Sequence, residues 1–133
     1  MEQSIKIESK LNNFCKIDNF INSIFNELQF SRKLYCKIYL SVNEAVNNAI
    51  FHGNSNDEEK YVTIDFITDD NTFQFLISDE GGGFDFSSVK DPTEKENIYN
   101  ESGRGIFIMK KYADHVYFLE NGTKVKLIFN KLN

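Results

Sequence analysis

Ile5 and Ile7 alternate with Ser4, Lys6 and Glu8, and this period of two predicts a short first strand. The spacing then changes. Leu11, Phe14, Cys15, Ile21, Ile24, Phe25 and Leu28 recur at helical intervals and predict a helix over roughly 11–29. Ser31 stands where an N-cap is expected, with Phe30 and Tyr35 bracketing it as a hydrophobic staple. A second helix should run from Arg32 to about Phe51 and stop at Gly53 and Asn54. Residues 61–68 and 72–78 are rich in β-branched and aromatic side chains, and Asp69-Asp70-Asn71 joins them as a hairpin. From Glu80 to Ser102 the pattern lapses into a polar stretch with three successive glycines and the only proline, Pro92. So long a loop in a compact domain is usually functional, often a lid. A third helix is predicted over 103–112. Strands over 115–120 and 123–130 follow, turned by Asn121-Gly122.

The order β-α-α-β-β-loop-α-β-β predicts an α+β fold. Its form is a two-layer α/β sandwich, with helices on one face of a mixed, mostly antiparallel sheet. At 133 residues the chain fits a single domain, and a hydrophobic content of 41% is enough for a core. The net charge of -5 disfavours direct nucleic-acid binding, which needs a basic face. Cys15 and Cys36 are far apart and form no thiolate metal motif. No apolar leader segment follows Met1, and no apolar run is long enough to span a bilayer. The expected location is therefore the cytoplasm.

Three groups of residues could carry chemistry. On the second helix, Tyr35, Tyr39, Val42, Val46 and Ile50 read as a stripe facing the core. Glu44 points about 180° from Tyr35, and Asn48 and His52 follow it at i+4 and i+8. A carboxylate, an amide and an imidazole thus stand in a row. The amide oxygen suits a hard cation, and the carboxylate suits a general base. In the second group, Asp79 ends an apolar strand and leads into Glu80-Gly81-Gly82-Gly83. A carboxylate there can accept a hydrogen bond from an exocyclic amine, and the glycines admit a flat base or sugar. In the third, Ser102-Gly103-Arg104-Gly105 precedes a helix, where backbone N–H groups and the helix dipole favour phosphate. Rossmann, Walker A and protein-kinase glycine loops do not fit these spacings. Each group alone also reads blandly, as a solvated helix face, an ordinary turn or a loop end.

Together they resemble the GHKL (Bergerat-fold) superfamily of gyrases, sensor histidine kinases and anti-sigma-factor serine kinases. Glu44-x-x-x-Asn48-Ala49-x-x-His52-Gly53 is similar to its N-box. Asp79, Gly81 and Gly83 are similar to its G1 box, and Gly103-x-Gly105 to its G2 box. Chain length, the Asn-Ala-x-x-His-Gly ending and the lid Asp91-Pro92-Thr93…Arg104-Gly105 most resemble the anti-sigma kinases. The resemblance implies ATP and Mg²⁺ as cofactors, with Asn48 holding Mg²⁺ between the phosphates. Asp79 would bond the adenine amino group with help from Thr123, and Gly81 and Gly83 would line base and sugar. Gly103, Arg104 and Gly105 would close over the phosphates, with His52 also counted at the cofactor site. Glu44 would act as the catalytic residue that orients or deprotonates a serine hydroxyl.

Two mechanisms follow from the resemblance. One is a protein serine kinase that phosphorylates a STAS-domain anti-anti-sigma protein and sequesters a sigma factor. The alternative is a nucleotide-switched regulator that binds partners without phosphorylating them. The resemblance also implies homodimers formed through the sheet and N-terminal elements.

Overall fold

The computed structural model describes residues 1–10, 13–55, 57–81 and 101–131, with only the backbone of 101–103. Five strands and three helices account for most of it: β1 (Glu2–Glu8), α1 (Phe14–Leu28), α2 (Arg32–Asn48), β2 (Tyr61–Thr68), β3 (Thr72–Ser78), α3 (Glu101–Tyr112), β4 (His115–Leu119) and β5 (Lys124–Asn130). The strands form one sheet in the order β1-β2-β3-β5-β4. Among the described residues every pairing is antiparallel, so the sheet, expected to be mixed and mostly antiparallel, has no parallel pair there. Among the described residues no helix is long and apolar enough to cross a membrane.

Alternation in the strands selects the buried face. Val62, Ile64 and Phe66 on β2, Phe73, Phe75 and Ile77 on β3, and Val125, Leu127 and Phe129 on β5 are buried beneath the helices. Phe66, Phe75 and Phe129 sit in tilted or edge-to-face contact at the centre of this core. Truncating any of them to Ala should cost about 3–5 kcal/mol. Helix α1 contributes Ile17, Phe20, Ile21 and Ile24.

The core stripe of α2 is broader than the sequence pattern implies. Leu34, Ile38, Val42, Ala45, Val46 and Ile50 are buried, whereas Tyr35 and Tyr39 lie half-buried at its margin. Tyr35 donates its hydroxyl to Asn22 Oδ1 on α1. The phenols are amphipathic, so they keep one end wet while their rings pack. Ser31 caps α2, its hydroxyl accepting from the Leu34 N–H at 3.1 Å. Phe30 and Tyr35 both pack on Phe25 (5.2 and 4.9 Å between centroids), so the predicted staple works through a third ring.

Two turns fix the hairpins. Asp69 Oδ1 accepts from the N–H groups of Asn71 and Thr72. These bonds hold its carboxyl below the usual carboxylate range, the Asn71 N–H most of all. The β4–β5 turn is a 3₁₀ segment, Glu120–Gly122. All three residues have positive φ (49°, 58° and 87°), the conformation for which the Asn-Gly pair is suited.

Candidate functional site

Strands β3 and β5 end and begin at the same edge of the sheet, where Ser78 pairs with Lys124. That register carries Asp79 to Thr123. The Asp79 N–H donates to the Thr123 carbonyl at 2.9 Å, and the Thr123 hydroxyl donates to the Glu120 carbonyl at 2.9 Å. Asp79 Oδ1 accepts from the Gly81 N–H at 2.8 Å. Burial pushes the Asp79 carboxyl up from its ordinary value, opposed by the Gly81 N–H and by the charge of Lys60.

The end of α2 reaches the same place. After Asn48 the helix widens into a π turn, Ala49–Gly53. Single π turns are often found at functional sites. This one brings Gly53 against Asp79. A Cβ on Gly53 would collide with the Asp79 carboxylate, and one on Gly81 would run into the Gly53 carbonyl. The N-box and G1 residues are therefore in direct van der Waals contact across 26 positions of sequence. His52 lies within this turn. Its side chain is exposed, whereas Asn48 is only 6% exposed.

The third group arrives on α3. Among the described residues the helix runs from Glu101, so Ser102, Gly103, Arg104 and Gly105 lie inside it rather than ahead of it, and it extends at least two residues before the predicted start at 103. Gly103 lies in the first described turn of the helix, where the expectation puts a phosphate. Gly105 does something else. It is buried, and a Cβ on it would stand 3.0 Å from Glu44 Oε2 and 3.3 Å from Asn48 Oδ1. Lacking one, it lets α3 lie directly on the two polar groups of α2. Arg104, next to it, is exposed. Gly83 and residues 84–100 of the lid lie outside the described residues.

The structure thus joins Glu44, Asn48 and Gly105 in one contact and Asp79, Gly81, Gly53 and Thr123 in another. Both contacts involve the C-terminal end of α2. Sequence reasoning missed Gly53 as a packing residue and read Asn54 only as a helix stop. Asn54 is fully buried. Its Oδ1 accepts from the Glu80 N–H at 2.8 Å, and its Nδ2 donates to Ser9 Oγ at 2.8 Å and to the Tyr61 carbonyl at 3.0 Å. A polar residue directly after a helix-ending glycine was the only local signal. Among the described residues no group of three or more His, Cys, Asp or Glu gathers as a metal site.

A helix carboxylate and amide under a glycine of a facing helix, beside an aspartate closing a strand, is the arrangement expected of a histidine kinase-like domain. The family model described as a histidine kinase-like ATPase domain matches residues 7–129, and the chain belongs to that family. Similar proteins are named anti-sigma F factor and serine-protein kinase RsbW. An anti-sigma F factor of Geobacillus stearothermophilus is 37% identical over 92 residues, 65% of this chain and 62% of that protein. The serine-protein kinase RsbW of Oceanobacillus iheyensis is 26% identical over 117 residues, 84% of this chain and 73% of that one. The RsbW of Staphylococcus epidermidis is 31% identical over 97 residues, covering 67% and 61%. The matched region is therefore less than two thirds of the anti-sigma F factors' own length. Among solved structures, the RsbU and RsbW domains of a Mycobacterium tuberculosis protein share the fold, with a TM-score of 0.68 at 11% identity, covering 98% of this chain and 32% of that one.

Proposed function

We propose that this chain is an anti-sigma-type protein serine kinase of the cytoplasm. It would use MgATP to phosphorylate a serine on a STAS-domain anti-anti-sigma protein, and would hold a sigma factor when that antagonist is phosphorylated. The observation that carries the reading is the packing of Gly105 over Glu44 and Asn48. The names of relatives, anti-sigma F factor and serine-protein kinase, point the same way.

The residues present fit a magnesium nucleotide. Asn48 offers a neutral amide oxygen in a nearly dry setting, the donor type a hard cation takes beside phosphate oxygens. Asp79 offers an acceptor whose carboxylate is already oriented by Gly81. Bound MgATP supplies the phosphoryl group and the charge neutralisation. Glu44 is half-buried one helical turn before Asn48 and is the group that would accept a serine proton. Gly103 would contribute a backbone N–H to phosphate and Arg104, which is exposed, a guanidinium. The same reading counts His52, an exposed residue of the π turn, at the cofactor site. Catalysis in such a site rests on positioning and electrostatics rather than on covalent chemistry by the protein.

The same reading includes a homodimer. Tyr61, Ile67, Tyr117 and Leu119 are exposed on the sheet face that the helices leave open, and apolar exposure of that extent fits a protein–protein contact.

The test is transfer of radiolabel from ATP to a cognate STAS protein. Wild type should label a serine, and Glu44→Ala should reduce the rate about 100-fold or more, the usual worth of a general base. Absence of transfer by wild type, or full transfer by Glu44→Ala, would refute the kinase. Nucleotide-dependent partner binding without any label would instead establish the purely switching regulator.

A further inference from the structure

We infer that Asn54 is the positioning residue of Asp79, holding the peptide that aims the carboxylate and so setting the selectivity for an adenine base. The inference rests on the reading of Asp79 as the base-contacting group. It goes beyond that reading by assigning the orientation of Asp79 to a side chain outside the three nucleotide motifs.

Asn54 follows Gly53 directly, and its own N–H closes the π turn onto the Ala49 carbonyl at 2.8 Å. Its side chain is buried completely and joins three strands. Ser9 lies just past β1, Tyr61 opens β2, and Glu80 follows the end of β3. The amide has one admissible orientation. Tyr61 offers a carbonyl, which only accepts. Ser9 Oγ spends its proton on the Lys60 carbonyl at 3.0 Å, so toward Asn54 it also accepts. The Glu80 N–H only donates. A flipped amide would set oxygen against oxygen and N–H against N–H, which is prohibitive in a buried site.

The Glu80 N–H belongs to the peptide that leaves Asp79, and the Asp79 N–H to the peptide that enters it. Asn54 holds the first at 2.8 Å, and the Thr123 carbonyl holds the second at 2.9 Å. With both flanking peptides anchored, the backbone of Asp79 has one orientation. The carboxylate then lies over Gly53, which has no room for a Cβ beneath it. One dipeptide, Gly53-Asn54, therefore supplies both the surface under the aspartate and the anchor of its backbone.

An Asn that merely packed a loop junction would affect stability and all ligands alike. An Asn that aims Asp79 must affect the base more than the phosphates. The experiment compares ADP with inosine diphosphate by calorimetry in the full-length wild type and in Asn54→Ala. Inosine carries an oxygen where adenine carries the amino group, so it cannot donate to a carboxylate there. Wild type should prefer ADP. Asn54→Ala should reduce that preference about tenfold while leaving affinity for inosine diphosphate nearly unchanged, as for one buried hydrogen bond lost. A wild type that binds the two nucleotides equally would remove the base-contacting role of Asp79, and this inference with it. A discriminating wild type together with an equally discriminating Asn54→Ala would remove the inference alone. A second measurement needs no variant: the Glu80 amide of wild type should exchange its hydrogen slowly. Exchange at the rate of an exposed loop amide would overturn the inference even if Asn54→Ala does not fold.

Discussion

Two aspartates show how local surroundings set opposite behaviour for the same side chain. Asp69 sits in a turn and accepts from the N–H groups of Asn71 and Thr72, which lower its affinity for a proton. Asp79 is partly removed from water, and the desolvation outweighs the Gly81 N–H and Lys60 and raises it. Carboxyl ¹³C titration should therefore place Asp69 below, and Asp79 above, the ordinary value of 3.8. The linkage signs differ accordingly. The Asp69 contribution is present above its unfolded pKa and is lost as pH falls through its lower folded pKa. For Asp79 the folded state binds the proton more tightly than the unfolded one, so its charged form weakens the fold. That penalty is full above the raised pKa and disappears as pH falls below the unfolded value. Asp79→Asn, which keeps an oxygen for the Gly81 N–H, should raise the Tm of the nucleotide-free protein at pH 7. The gain should vanish below about pH 4, near the ordinary aspartate pKa. A gain that grows on acidification would contradict the burial account. The roles proposed for the site separate by metal linkage: Asn48→Ala should diminish the Mg²⁺ dependence of ATP affinity, and Asp79→Ala should lower affinity with the dependence retained. Equal loss in both variants, measured by calorimetry at several Mg²⁺ concentrations, would invalidate the assignment.

At the scale of elements, α2 and α3 meet through a glycine that has two opposed tendencies. Alanine at position 105 would favour the helix by about 1 kcal/mol. The same methyl would crowd Glu44 Oε2 at 3.0 Å and Asn48 Oδ1 at 3.3 Å. Gly105→Ala should thus leave the Tm within about 3 °C of wild type. Phosphoryl transfer should fall about tenfold or more, because small displacements of a catalytic group are expensive. A variant with unaltered transfer would show that the α2–α3 contact does not position the site. Gly53→Ala has no compensating gain. Its methyl meets the Asp79 carboxylate head-on, and overpacking of this kind should cost about 1–3 kcal/mol in urea unfolding. At the other end of α2, removal of the Ser31 hydroxyl cap should cost about 1 kcal/mol and leave nucleotide affinity untouched, since the cap is remote from the site.

For the whole molecule, the helices cover one face of the sheet and leave the other open. Antiparallel sheets tolerate such exposure, but here the open face carries Tyr117 at 49%, Ile67 at 46% and Leu119 at 42% exposure. Lys126 lies beside Tyr117 in register. A two-fold contact through this face would bury that patch against its own copy. Sedimentation analysis should find wild type dimeric and Tyr117→Glu shifted to monomer, with the fold intact by circular dichroism. A wild type that is monomeric at all concentrations would refute the dimer.

Most of the fold was legible in the chain because its signals are local. The β-branched and aromatic runs over 61–68 and 72–78, the strand reading over 123–130, the Asp-Asp-Asn and Asn-Gly turns and the Ser31 cap act over a few residues, and each predicted an element that the structure contains. The three candidate motifs were legible for the same reason, as short spacings of Glu, Asn, Asp and Gly. Tertiary structure decided the rest. The strand order inserts β5 between β3 and β4 and so brings Thr123 to Asp79. The π turn that follows Asn48 has no signature in the helical spacing. Gly53 beneath Asp79, Gly105 on Glu44 and Asn48, and Asn54 between Ser9 and Glu80 join residues 26 to 61 positions apart. Contacts at that separation leave no periodicity behind, because they are chosen by how whole elements pack rather than by what neighbouring residues prefer.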